Sequence, residues 1–115
     1  MIYFKEEEFK CPCCGELSLS PNLIPTLTDI RLIYKQPMVI TSGYRCWKHN
    51  QAIGGVPTSE HLTGEGADVE CTTSHDRYKL IDACLSVGIK RIGIGTNFIH
   101  IGISKTLPQE MIWLY

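Results

Sequence analysis

Apolar residues recur along the chain at two periods, and the switches between them divide it into helices and strands. Leu23, Leu27, Ile30 and Ile33 or Tyr34 follow helical spacing and predict an amphipathic helix over 22–35. Ser20-Pro21-Asn22 marks its start, Pro25 is tolerable only in the first turn, and Pro37 closes it. Met38–Thr41 is a short run rich in β-branched residues and reads as a strand, and residues 46–53 read as a short helix ended by Gly54-Gly55. Residues 67–71 alternate, with Asp68 and Glu70 on one face and Ala67, Val69 and Cys71 on the other, which predicts a second strand. Ser74 is the expected cap of a helix over about 75–87, with an apolar stripe of Leu80, Ile81, Cys84 and Leu85 and a stop at Gly88. Strands at 90–94 and 97–103 follow, and 111–115 reads as an edge strand or docked tail.

Helices and strands in this order, without regular βαβ alternation, predict an α+β fold with a small antiparallel sheet and flanking helices. At 115 residues the chain is expected to be one domain, 1–115, long enough to bury a real core. Residues 1–20 form an irregular, cysteine-containing N-terminal segment, anchored by Phe4 and Phe9.

Composition narrows the functions. Eleven basic and 12 acidic residues leave a formal charge of -1, which argues against nucleic acid or an anionic membrane surface as the main partner. No apolar run approaches the roughly 18 residues of a membrane span. The first residues carry three consecutive acids and no apolar core, so no signal peptide is expected and the protein is expected to begin in the cytoplasm.

Six cysteines add a separate question: Cys11, Cys13 and Cys14 are clustered, and Cys46, Cys71 and Cys84 are dispersed. Without a secretion signal, reduced thiols are the default. With Cys46 or His49 the cluster can also form a closed zinc site, although its spacing is not that of a standard zinc knuckle. His75 reads as exposed, and Trp47 and Trp113 as packing residues, with Trp47 also able to line a groove beside Arg45.

The strongest chemical signal lies in Ser59-Glu60-His61-Leu62-Thr63-Gly64-Glu65-Gly66-Ala67-Asp68. An imidazole and a carboxylate flank a glycine-rich turn with little side-chain bulk, so the backbone can fold back tightly. His100, far downstream, can complete a set of three donors with an open fourth position, which is what a catalytic zinc needs. Taken singly, His61 reads equally as a turn histidine and Asp68 as a strand-end cap.

Ser42-Gly43-Tyr44-Arg45, His49-Asn50, Gly54-Gly55, Ser59-x-His61-x-x-Gly64-x-x-Ala67-Asp68 and Phe98-Ile99-His100 together resemble the zinc D-Ala-D-Ala carboxypeptidase family. That family includes L-Ala-D-Glu endolysins and shares its metal-site fold with Hedgehog signalling domains; the likeness is to a short, phage-associated branch. The resemblance covers nearly the whole chain. It implies Zn2+ on His61, Asp68 and His100, with a water made acidic by the metal. It places Arg45 on the substrate carboxylate or the developing oxyanion, and Ser59 on the peptide. The implied reaction is hydrolysis of a peptide bond in the peptidoglycan stem, by a D,D-carboxypeptidase or an endolysin-type endopeptidase, with phage-type release as the route to the wall.

The sequence departs from the family's pattern at the general base. An acid three residues before the last zinc histidine is here Asn97, and an Asp often found two residues after it is here Gly102. Glu60, Glu65, Glu70 and His49 are the candidate substitutes, with Glu70 best placed by strand periodicity. The alternative function is a non-catalytic, zinc-stabilised domain on the same fold, binding cell-wall peptide or serving phage assembly. A cysteine-rich structural protein without a metal at His61 and Asp68 is the remaining option.

Overall fold

Five strands form a mixed sheet whose two faces have different jobs. The structure, a computed structural model, describes residues 2–115. The strands are β1 (Ile40–Ser42), β2 (Gly66–Glu70), β3 (Arg91–Ile94), β4 (Phe98–Gly102) and β5 (Met111–Leu114), in the spatial order β1-β2-β4-β3-β5. The helices are α1 (Leu23–Tyr34), α2 (Trp47–Ala52), α3 (Glu60–Thr63) and α4 (Ser74–Val87), and a 3-10 turn spans Glu6–Phe9.

Alternation along the strands sends one set of side chains to each face. Ala67 and Val69 of β2, Ile99 and Ile101 of β4 and Ile92 of β3 join the buried core, and the register sets Ala67 opposite Ile101 and Val69 opposite Ile99. Leu23, Leu27, Ile30 and Tyr34 of α1 and Leu80, Ala83 and Cys84 of α4 complete that core. Phe4 and Phe9 are buried with them, which ties the N-terminal segment down as expected. The opposite face carries Asp68, His100 and Trp113, whose neighbours in register include Gly93.

The structure refines several sequence expectations. The sheet is antiparallel except at its edge, where β5 runs parallel to β3. The intervening chain at 95–110 leaves and returns by way of β4, so β5 re-enters in the direction of β3. The cap of α4 is Thr73, whose Oγ1 accepts the Asp76 N–H at 3.1 Å, rather than Ser74, which is the first helical residue. In the α4 stripe, Ala83 is buried in place of Leu85, which faces solvent. The first strand begins later than the apolar run suggests, at Ile40, and Val39 just ahead of it is exposed. Among the described residues, no helix is long and apolar enough to cross a membrane.

Candidate metal centre

The centre is assembled by one helical turn and three strands. Ser59 caps α3 by accepting the His61 N–H at 3.2 Å, and Gly64 ends the helix in the left-handed region at φ 71°. That conformation favours glycine and turns the chain directly into β2. His61 therefore sits on a short helical turn that precedes the glycine-rich turn, a helix not among those expected from sequence. Asp68 lies on β2, and the β2–β4 register places His100 directly opposite it.

β1 contributes through an irregularity. Ile40 pairs with Val69, but the register shifts before Ser42, which pairs with Asp68. The shift turns the chain at Ser42 towards the polar face, a common use of a bulge beside a site. From there Gly43 presents its carbonyl to His61, and Arg45 reaches Asp68.

His61 Nε2, Asp68 Oδ1 and His100 Nδ1 converge. The Asp68 oxygen lies 3.1 Å from His61 Nε2 and 2.9 Å from His100 Nδ1. All three residues are buried. Their remaining ring nitrogens fix the tautomers. His61 Nδ1 lies 2.6 Å from the Gly43 carbonyl, which can only accept, so Nδ1 carries the proton. His100 Nε2 lies 3.0 Å from Glu60 Oε1 and donates to it. With both far nitrogens protonated, the near nitrogens of the neutral rings aim lone pairs at a carboxylate oxygen. That arrangement repels unless a cation sits between them. Donor separations of 2.9 and 3.1 Å also fall near the ~3.3 Å spanned by tetrahedral bonds of about 2.0 Å. The donor set therefore fits a zinc-like ion.

Without a cation there, a proton on His100 relieves the repulsion. Burial disfavours a charged His100, but its hydrogen bonds to Asp68 and Glu60 outweigh this and hold its pKa above the ordinary value. Burial also pushes Asp68 up, and hydrogen bonds from His100 and His61 more than reverse it, holding the carboxyl well below the usual range.

Glu60 proves to be an anchor. Its Oε1 accepts from His100, its Oε2 accepts the Ser104 N–H at 3.0 Å, and Arg91 Nε lies 3.1 Å from Oε1. The Arg91 contact is an ion pair rather than a hydrogen bond, because the Nε–H is not directed at a partner. Burial raises the Glu60 pKa, and the His100 hydrogen bond leads the effects that bring it below its ordinary value. A Cβ at residue 102 would overlap the Glu60 carboxylate. Gly102 thus leaves room for an acid that arrives from α3, next to the position where relatives were expected to carry one on β4.

The other named residues fall into two groups. Arg45 lines the cleft beside the centre; its Nε donates to Ser42 Oγ at 3.2 Å, its Nη1 to Asn50 Oδ1 at 3.4 Å, and its Nη2 lies 3.6 Å from Asp68 Oδ2. Ser59 also lines the cleft, with its oxygen engaged as the α3 cap. By contrast, Glu70 is exposed at the end of β2, opposite Phe98, and outside the cleft lining. It shares a face with Asp68, but two positions along a strand are about 6.6–6.8 Å apart, which carries it past the site. Asn97 is exposed and likewise absent from the lining, and the half-buried Glu65 and His49 are absent from it too.

The cleft has a volume of about 430 Å³. One wall comes from β5: the Trp113 ring lies 5.6 Å from that of His100, the Arg91 guanidinium lies 5.0 Å from the Trp113 ring, and Tyr115 packs on Phe98 at 5.1 Å. Trp113 therefore belongs to the site, and not only to packing, whereas Trp47 is 53% exposed and outside the lining. Only the edge placement of β5 reveals this, since nothing in its sequence marks it as a cleft wall.

A comparison with curated proteins returns no match. The family model described as Peptidase M15 matches residues 2–102 and leaves only the β5 wall and its approach outside. With the match spanning most of the chain and every residue of the His–Asp–His centre, the protein belongs to the M15 peptidase family.

Proposed function

We propose that the protein is a zinc-dependent peptidase that hydrolyses a peptide bond in the peptidoglycan stem peptide, as a D,D-carboxypeptidase or an endolysin-type endopeptidase. The observation that carries this reading is the convergence of His61 Nε2, Asp68 Oδ1 and His100 Nδ1 beside a cleft, with both far imidazole nitrogens already committed. Three nitrogen and oxygen donors next to open space suit a catalytic zinc, whereas a structural zinc is closed by four. When bound, zinc would polarise a carbonyl and make water acidic at neutral pH.

The protein's own groups supply the rest. Arg45 is pre-positioned by Ser42 and Asn50, so its fork can bind a substrate carboxylate or a carbonyl oxygen that gains charge, at little ordering cost. Ser59 keeps a hydroxyl proton free to donate to a peptide carbonyl. Trp113 and Tyr115 form an apolar wall for the peptide. Glu60 holds the proton on His100 Nε2, which keeps the Nδ1 lone pair aimed at the centre and makes the imidazole a stronger donor.

A second reading has a specific observation in its favour. The two acids that line the cleft, Glu60 and Asp68, are both engaged by His100. A zinc-stabilised, non-catalytic domain that binds cell-wall peptide or serves phage assembly would need nothing more. Incubation of the zinc-replete protein with a purified muropeptide separates the two. Release of new amino groups by the wild type, abolished in His61→Ala, is the expected result. Peptide binding without release, with zinc bound, would establish the second reading instead.

A further inference from the structure

A second group of donors lies outside the centre. Cys11, Cys13, Cys14 and Cys46 bring their four Sγ atoms within 4.8 Å of one another. Cys13 Sγ lies 3.6 Å from Cys11 Sγ and 3.3 Å from Cys46 Sγ, and all four thiols are free. In a tetrahedral zinc–thiolate site with bonds of about 2.3 Å, sulfur atoms are about 3.8 Å apart. Both separations fall within about 0.5 Å of that figure, on the short side, so only a small expansion is needed to seat the ion. We infer that these four cysteines form a closed, structural Zn2+ site, distinct from the His–Asp–His centre.

The backbone is arranged around the sulfurs. The 11–16 segment is closed by Cys11 N–H to Glu16 O and Gly15 N–H to Cys11 O, both 2.8 Å, so three cysteines curl onto one side of a tight loop. Cys46 arrives from across the fold, ahead of α2. Its N–H donates to Cys11 Sγ at 3.4 Å, and its own Sγ accepts the His49 N–H at 3.4 Å. Backbone donors aimed at sulfur favour thiolate, the form that binds a metal. On binding, the four thiols release their protons to solvent and four sulfur–zinc bonds form, with no redox change. The site leaves no open position, and soft sulfur donors favour zinc over magnesium or calcium. His49, the alternative fourth donor from sequence, is represented here only by its backbone N–H.

The location gives the site a purpose. The Tyr44 N–H donates to Phe9 O at 2.8 Å, and a Cβ on Gly43 would overlap Phe9. The cysteines thus clamp the N-terminal segment to the 43–46 stretch. That stretch holds His61 through the Gly43 carbonyl and carries Arg45. A metal here would set the geometry of the neighbouring centre without taking part in its chemistry.

The inference is independent of the peptidase reading, and its test does not use activity. Co2+ added to the reduced, metal-free His61→Ala protein should produce the intense near-ultraviolet thiolate-to-cobalt absorption, since only the cysteines can supply it. Cys13→Ser/Cys14→Ser, which changes two exposed positions, should abolish it. Zinc-loaded wild type should carry about two equivalents per chain, falling to about one in either variant. Should the serine variant fail to fold, alkylation mapping of the wild type decides. Cys11, Cys13, Cys14 and Cys46 should be protected by zinc and become reactive after chelation. Absence of the charge-transfer absorption in His61→Ala would overturn the inference. So would its survival in the double serine variant, or a Cys13–Cys46 disulfide in protein that retains no metal on the cysteines.

Discussion

Glu60 and Gly102 act as one unit at the scale of single residues. The carboxylate occupies the space that a side chain at 102 would fill, and from there it orients His100. Glu60→Gln keeps the shape but weakens the acceptor, and metal affinity should fall about 10–100-fold, measured by competition with a chelating dye. The same variant carries a pH signature in the metal-free protein. The folded-state pKa of Glu60 is below its ordinary 4.5, so its stabilisation is present above that value and lost as pH falls through the lower folded value. His100 has the opposite sign: its folded pKa is raised above 6.5, so its stabilisation is full below 6.5 and lost as pH rises through the folded value. Urea unfolding at a series of pH values should therefore show stabilisation bounded on both sides, and Glu60→Gln should weaken both limits. Gly102→Ala should force Glu60 aside, costing about 1–3 kcal/mol and lowering zinc affinity along with stability. An unchanged affinity would show that the carboxylate does not orient His100.

At the scale of elements, caps and a register shift carry the information. Thr73→Ala should remove the α4 cap and cost about 1 kcal/mol in thermal or urea denaturation, whereas Ser74→Ala should be nearly neutral. The reverse order would restore the assignment read from sequence. Both residues are good capping types one position apart, and helical periodicity does not resolve a boundary to one residue. The register shift in β1 is less legible still. Nothing in Met38-Val39-Ile40-Thr41-Ser42 announces that Ser42 will face Asp68; pairing with β2 determines it.

At the scale of the molecule, the sheet separates stability from chemistry. Its apolar face rests on α1 and α4, and its polar face carries the centre, so the cleft wall can change with little cost to the core. Trp113→Ala should accordingly weaken peptide binding by up to roughly tenfold, through lost contacts with substrate and with Arg91, while leaving the unfolding midpoint nearly unchanged. Calorimetric titration with a muropeptide, beside a melting curve, checks both halves of this expectation.

The sequence by itself determined the longer helices and most of the strands, the α+β class, and the candidate trio of His61, Asp68 and His100. Periodicity and motif spacing are local properties, and a folded core must respect them. Only the tertiary structure decided that Asp68 and His100 stand directly opposite, that Glu60 reaches past Gly102 to His100, that Glu70 misses the cleft, and that Trp113 lines it. It also brought Cys46 to the three N-terminal cysteines. Each of these depends on strand register or on contacts between residues far apart in the chain. The physical reason is that a local pattern specifies which face a residue occupies, while long-range packing specifies what it meets there.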